Sequence, residues 1–354
     1  MMTSSDFVSI PIIDLSKAHS PDTKNKLLED LRHALTSVGF LYVVNHDVSE
    51  SVIRDIVDSL PRLFNLSTEE KNIVALDKSP HFLGYSGTGM ETTAGRADRR
   101  EQFEFATELE DDWAQGKPRA ERLKGPNQWP DAYPTLRPIV ETYISELTQL
   151  GETFLRLVAE ALSLLPDTFL PFLSDQHRLK LIRYPKSETD TSQGVGPHKD
   201  SSGWWTFLLQ ASPPHVKGLQ VLNKSGGWVD VPNIPGTFVV NIGQGFEVVT
   251  NGVCKATTHR VLSGQDERFS IPFFQGMRRD LTKSEAVEML REHFENGRFK
   301  LSTESVKGQE IDSAFLKGSY NTWGEAQLRT KIRSHRDVGK KFYQDIFNEY
   351  INKH

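Results

Sequence analysis

The chain has 354 residues, 37% hydrophobic and 25% charged, with 20 Phe and 6 Trp, a make-up that supports a sizeable core and excludes a disordered tail or a collagen-like repeat. Its 42 basic residues stand against 47 acidic ones for a net charge of −5, so no chain-wide basic field exists to hold nucleic acid or an anionic membrane, and a small-molecule partner is expected. The one cysteine, Cys254, excludes an internal disulfide and a cysteine-rich zinc or iron–sulfur site and suits a reducing, cytoplasmic setting, an expectation that fits the lack of a secretory pattern at the start and of any bilayer-spanning apolar run.

Ile10 to Leu15 reads as a short β-segment. Ser20 and Pro21 then supply an N-cap and a first-turn proline, Leu27, Leu28, Leu31, Ala34, Leu35 and Val38 recur on a helical period, and Gly39 sits where a C-terminal cap belongs. Phe40 to Val44 reads as a buried strand, Val52 to Phe64 as an amphipathic helix, and Ser67 to Glu70 as a capping box. Residues 81–135 are rich in Gly and Pro, loop-like and partly stranded. Pro138 opens the longest helical pattern, which stops near Pro166. Between Leu179 and Phe274 short apolar runs alternate with Gly, Pro, Asn and Asp, as in a β-sandwich or barrel, and Glu325 to Tyr350 returns to helix. Two regions are expected: an α/β extension over residues 1–135 with a loop-rich, lid-like segment, and a unit over 136–354 holding a scaffold helix, a β-core and a C-terminal helix.

No phosphate-binding loop, Rossmann glycine fingerprint, His-Glu-x-x-His or nucleophile elbow is present. His-x-Asp occurs twice, at His198–Asp200 and His335–Asp337, and chance alone yields it about 0.7 times in a chain of this composition. Context separates the two. His335 falls in a charged helical pattern, Arg329 to Phe342, where residues two apart diverge, and reads as part of a solvated helix face. His198 and Asp200 lie in a Gly-rich segment before the apolar run Trp204 to Leu209, where extended backbone puts residues i and i+2 on one face.

His259 ends another expected strand, Asn251 to Val261, and Arg268 and Ser270 form an i, i+2 pair on the next. Two imidazoles and a carboxylate form a facial triad suited to Fe(II), with positions left open for a chelating acid and O₂; zinc accepts the same donors. Arg268 and Ser270 decide between them, because a guanidinium fork beside a hydroxyl clamps a carboxylate, and an acid chelating iron at one end and clamped at the other is 2-oxoglutarate. Tyr184 can add a phenolic hydrogen bond. Cys254 reads as a small buried hydrophobe within its strand.

At these residues the sequence resembles the Fe(II)- and 2-oxoglutarate-dependent dioxygenases, in the branch that contains isopenicillin N synthase. The likeness runs through Ile10 to Leu15, Ser37 to His46, Arg183–Tyr184–Pro185 and Arg268-x-Ser270 ahead of Pro272–Phe273–Phe274, with 61 residues from His198 to His259 and 9 from His259 to Arg268. It implies a mainly β fold with flanking α-helices, a distorted double-stranded β-helix or jelly roll, with His198, Asp200 and His259 as iron ligands and Arg268, Ser270 and Tyr184 as contacts to 2-oxoglutarate. It implies oxidation of a small organic molecule of secondary metabolism, by hydroxylation, desaturation or ring closure, with release of succinate and CO₂. Tyr85 and Met90, by their place in the lid-like segment, and Phe274, by its match to relatives, are the expected substrate contacts. Asn241–Ile242–Gly243–Gln244 departs from the resemblance, since relatives often carry an acid where Gln244 stands. Fragmentation of 2-oxoglutarate to ethylene and a catalytically silent metal-binding jelly roll are the alternatives.

Overall fold

Arg268, Ser270, Pro272 and Phe274 alternate with Phe269, Ile271 and Phe273, and a period of two gives a strand two distinct faces. In the computed structural model, which describes residues 6–93, 96–187, 192–201, 203–295, 313–318 and 320–352, the first set lines an interior cavity and the second packs into the main hydrophobic core.

In chain order the strands are β1 (Ile12–Asp14), β2 (Phe40–Val44), β3 (Gly84–Ser86), β4 (Thr92–Thr93), β5 (Arg96–Ala97), β6 (Glu101–Ala106), β7 (Arg178–Tyr184), β8 (Ser192–His198), β9 (Trp205–Gln210), β10 (Leu219–Leu222), β11 (Trp228–Asp230), β12 (Phe238–Ile242), β13 (His259–Ser263) and β14 (Arg268–Gln275). One sheet runs β1-β2-β12-β9-β14-β7-β6-β3 and a second runs β11-β10-β13-β8. Residues of both line the same cavity, among them Lys180, Thr206 and Ser270 from the first and Val195, Leu219 and Val261 from the second. This is the expected jelly roll. Strands β1, β2, β3 and β6, all from the first 135 residues, extend the larger sheet at its two ends.

The helices are α1 (Pro21–His33), α2 (Glu50–Phe64), α3 (Thr68–Ile73), α4 (Leu136–Ala161), α5 (Gln244–Val249), α6 (Lys283–Glu288), α7 (Arg291–Glu295), α8 (Ala314–Lys317), α9 (Trp323–Ser334), α10 (Arg336–Phe342) and α11 (Gln344–Asn352). Helix α4 is the scaffold helix: Val140, Ile144, Leu147, Leu150, Phe154 and Val158 recur every three or four residues and are buried. Phe154 meets Trp205 and Phe207 of β9 edge-on, with ring centroids 5.2 and 5.7 Å apart. The floor of the cavity is thereby fixed from behind. No helix among the described residues is long and apolar enough to cross a membrane.

Helix α1 ends in a widened π turn over Ala34–Val38, and Gly39 closes it with φ +75°, its N–H donating to Ala34 O at 2.8 Å. A Cβ at this position would stand 2.3 Å from Thr257 Oγ1 and 2.4 Å from Lys255 O. Gly39→Ala should therefore cost about 1–2 kcal/mol from the left-handed backbone alone, with the clash added, and a thermal melt should show a drop of several degrees.

Three local expectations need correction. Residues 244–249 form helix α5, and Asn251 (φ 49°) and Gly252 (φ 73°) then turn the chain, so His259 begins β13 instead of ending a strand from Asn251. Cys254 is fully buried as expected but lies in that turn, not in a strand. The C-terminal helix breaks at His335 (φ −129°, ψ 73°) and Tyr343 into α9, α10 and α11.

Candidate active site

Antiparallel pairing of β13 with β8 sets His259 directly opposite His198, and the two rings lie 4.3 Å apart. The chain leaves β8 after His198, which brings Asp200 between them: its Oδ1 is 3.5 Å from Nε2 of each histidine. Nδ1 of His198 meets Gly196 O at 2.8 Å and Nδ1 of His259 meets Thr257 O at 3.2 Å. A carbonyl accepts only, so Nδ1 carries the proton in each ring and Nε2 is left as a lone-pair donor. The other carboxylate oxygen, Asp200 Oδ2, accepts from Thr206 Oγ1 at 2.5 Å and Asn241 Nδ2 at 2.7 Å. Both oxygens are thus assigned, one to the protein and one to the open side of the cluster.

Protonation agrees with that division. Burial raises the Asp200 carboxyl, but His259, His198 and Thr206 outweigh it and hold the group well below the usual carboxylate range. Burial, reinforced by His198 against the opposing pull of Asp200, lowers His259 to about 4. Near neutral pH the set is one carboxylate and unprotonated His259, the state a divalent cation requires. The three donor groups fall within 4.8 Å of one another, and their composition suits iron or zinc.

Along β14, on the same inward face, stand Ser270 and Arg268, 2% and 3% exposed. Arg268 has no carboxylate partner among the described residues: one terminal nitrogen reaches Gln210 Oε1 at 3.3 Å, and the other, Nη1, is buried without a hydrogen-bond partner. Tyr184, opposite it on β7, places its ring 5.0 Å from the guanidinium carbon, and its phenol also interacts with Arg100. Burial pulls the Arg268 guanidinium down while Tyr184 opposes the shift. A buried cation with a vacant donor fits an incoming carboxylate.

Of the expected substrate contacts, Phe274 lines the cavity, whereas Tyr85 and Met90 do not. Tyr85 turns its hydroxyl to Glu101 Oε2 at 2.7 Å and packs on Phe103; Met90 is 61% exposed. Their segment is not a free lid, since β3 pairs with β6 and the cavity is met instead by Glu91, Thr92 and Thr93. His335 is also misplaced by the sequence pattern. At the break between α9 and α10 it turns inward, 9% exposed, with Nε2 2.8 Å from Glu91 Oε1. Thr206, Asn241, Arg100, Lys180 and Lys331 line the cavity as well. Extending the inward face of β14 to its neighbours points to Thr206 and Lys180; Arg100 and Lys331 carry no such signal, lying outside β7 and β9, the strands that pair with β14.

Comparison with known proteins decides the family. Residues 10–132 match the family described as non-haem dioxygenase in morphine synthesis N-terminal, and residues 176–276 match the 2OG-Fe(II) oxygenase superfamily. A 2-oxoglutarate-dependent dioxygenase, frbJ, of Dothideomycetidae sp. (strain 11243) is 42% identical, over 96% of this chain and 93% of its own length. The chain belongs to the Fe(II)- and 2-oxoglutarate-dependent dioxygenases. A homoarginine-6-hydroxylase of Glycine max is 32% identical, over 81% of this chain and 90% of its own. A Neurospora crassa protein crystallised with alpha-KG and 5-formyluracil superposes with a TM-score of 0.66 at 25% identity, covering 77% of this chain and 85% of that one. This dioxygenase therefore uses Fe(II), 2-oxoglutarate and O₂ to oxidise a small organic molecule.

Proposed function

We propose that His198, Asp200 and His259 hold the iron through Nε2, Oδ1 and Nε2, that Arg268, Ser270 and Tyr184 receive the far carboxylate of 2-oxoglutarate, and that the enzyme hydroxylates an aliphatic carbon. The observation that carries the assignment is the vacant Nη1 of Arg268, buried on the same strand face as Ser270 and in the same cavity as the triad. When bound, iron and 2-oxoglutarate supply the oxidising power, coupling O₂ reduction to decarboxylation of the co-substrate to succinate and CO₂.

The protein's own part is to orient and to exclude water. Thr206 and Asn241 fix the Asp200 carboxylate by occupying Oδ2, and the carbonyls of Gly196 and Thr257 fix the imidazole tautomers. Phe40, edge-on to His259 at 5.3 Å, and Leu208, Val261 and Phe274 give the cavity apolar walls near the triad. Thr206→Val should lower iron affinity by about 10- to 100-fold while sparing the fold, as read by an anaerobic Fe(II) titration beside a thermal melt.

The hydroxylase name of the soybean relative supports hydroxylation as the outcome. The single cysteine, buried in its turn, supports a place in the reducing cytoplasm. The test of the function is succinate release under air from Fe(II), 2-oxoglutarate and a panel of small molecules, amino acids included, with products identified by mass. Substrate-dependent succinate and a product heavier by one oxygen support it. A product of unchanged oxygen content but two fewer hydrogens would replace hydroxylation by desaturation.

A further inference from the structure

Beyond Phe274 the cavity wall changes from apolar to charged. Phe274 pairs with Thr206, the Asp200 partner, on one side and with Arg178 of β7 on the other. The next inward residue of β7 is Lys180, paired in register with Glu104 of β6. Its Nζ is 3.4 Å from Glu91 Oε1 and 3.7 Å from Glu104 Oε2, and Lys331, reaching in from α9, ion-pairs with Glu104 Oε1. Lys180 and Lys331 are each 14% exposed, and Glu91 and Glu104 are 8% and 1% exposed.

The acceptors of this cluster are taken except for Glu104 Oε2, whereas several of the ammonium donors are not. Glu91 receives Arg100 and Gln102 at 2.5 and 2.8 Å, and His335 Nε2 lies 2.8 Å from its Oε1. Arg178 spends its donors on Glu104 and on the carbonyls of Phe82, His81 and Leu123. An ammonium has three donors, yet Lys331 meets one protein carboxylate and Lys180 only two long contacts. Leaving His335 aside, Arg100, Arg178, Lys180 and Lys331 face Glu91, Glu104 and Asp98, the last 3.3 Å from Arg100. One positive charge is left over in a largely buried wall, where an unpaired charge is costly.

On the reading of His198, Asp200 and His259 as the metal site, we propose that Lys180 and Lys331 form a carboxylate subsite for the organic substrate, which is an anionic or zwitterionic small molecule whose acid group lies across the cavity from the carbon to be oxidised. From Thr206 on β9 to Lys180 on β7 is two strand spacings, roughly 10 Å, so the acid group and the oxidised carbon are separated by a chain of several atoms. The apolar wall at Leu208, Pro272 and Phe274 runs between them. A substrate cation is disfavoured there by charge, because Arg100, Arg178, Lys180 and Lys331 outnumber Glu91, Glu104 and Asp98, even though Glu104 Oε2 accepts no hydrogen bond.

Burial, with Arg178 and Lys180 adding to it and Glu104 opposing, brings Lys331 down to about 8. The groups facing it are Glu104, Arg178 and Lys180, with Glu91 and His335 behind Lys180. Carboxylate binding should thus weaken as the pH rises through that value.

The test uses the full chain loaded anaerobically with Fe(II) and saturating 2-oxoglutarate, titrated with straight-chain acids from butanoate to octanoate and with their primary amides. At pH 7 at least one acid should bind tenfold or more tighter than its amide. That preference should shrink to about twofold in Lys331→Met, and the wild-type affinity should fall severalfold from pH 7 to 9. Lys331→Arg should keep the preference and lose the fall. Equal binding of acid and amide, no binding of any acid, or an unchanged preference in both Lys331→Met and Lys180→Met overturns the subsite. If Fe(II) and 2-oxoglutarate bind normally in those samples, only the subsite falls; if wild-type protein binds neither, the metal-site assignment falls with it.

Discussion

His259→Ala should abolish turnover and weaken Fe(II) binding by a factor of at least about 100, the largest effect expected of any single substitution in the site. The side chain supplies one of only three protein donors, and nothing near it can replace it: Phe40 closes one side of the ring and His198 the other. The remaining pair, His198 and Asp200, offers two donors, which is the level of affinity an ordinary surface His–carboxylate pair provides. His259 is also buried at the start of β13, so removing the imidazole leaves a space and loses the bond to Thr257 O; a stability loss of about 1–3 kcal/mol is expected with it. An anaerobic Fe(II) titration and a thermal melt on the same sample separate the two effects. Fe(II) binding within about threefold of wild type would show that the metal sits elsewhere.

Arg268→Leu should have the second largest effect, and of a different kind. The guanidinium is buried, stacked on Tyr184 and without an acidic partner among the described residues, so its charge costs free energy until an anion arrives. Removing it should lower the affinity for 2-oxoglutarate by about 3 kcal/mol, as for loss of one partner of a buried charge-assisted pair, or on the order of 100-fold. Fe(II) affinity in the absence of 2-oxoglutarate should be unchanged, and thermal stability should hold or rise because an uncompensated buried cation has gone. Titration of both ligands, each alone, reads the contrast. Equal loss for both ligands would mean that the substitution damages the fold and not the clamp.

Much of this site is legible in the sequence because strands obey a simple rule. Residues i and i+2 share a face, so Arg268 and Ser270 fall together from their spacing alone, and His198 with Asp200 needs only a short extended stretch. The scaffold helix is equally plain from its apolar period. What escapes depends on backbone breaks that side-chain periodicity does not encode. The charged run Arg329 to Phe342 has helical composition throughout, yet the chain kinks at His335, and the kink is what turns this ring from solvent toward Glu91. Position in a glycine-rich stretch points Tyr85 and Met90 toward a substrate; pairing of β3 with β6 instead commits Tyr85 to Glu101 and leaves Met90 outside. Lys180 and Lys331 come from distant parts of the chain, and only the fold brings both to Glu104.

If the triad and Arg268 hold two ends of the same small acid, binding of Fe(II) and of 2-oxoglutarate should be coupled, and coupling of binding free energies is reciprocal. Anaerobic calorimetry on wild-type protein, titrating 2-oxoglutarate with and without saturating Fe(II), measures it directly. The expected result is one 2-oxoglutarate per chain, bound at least about tenfold more tightly when iron is present. Binding of equal affinity with and without Fe(II) would contradict it.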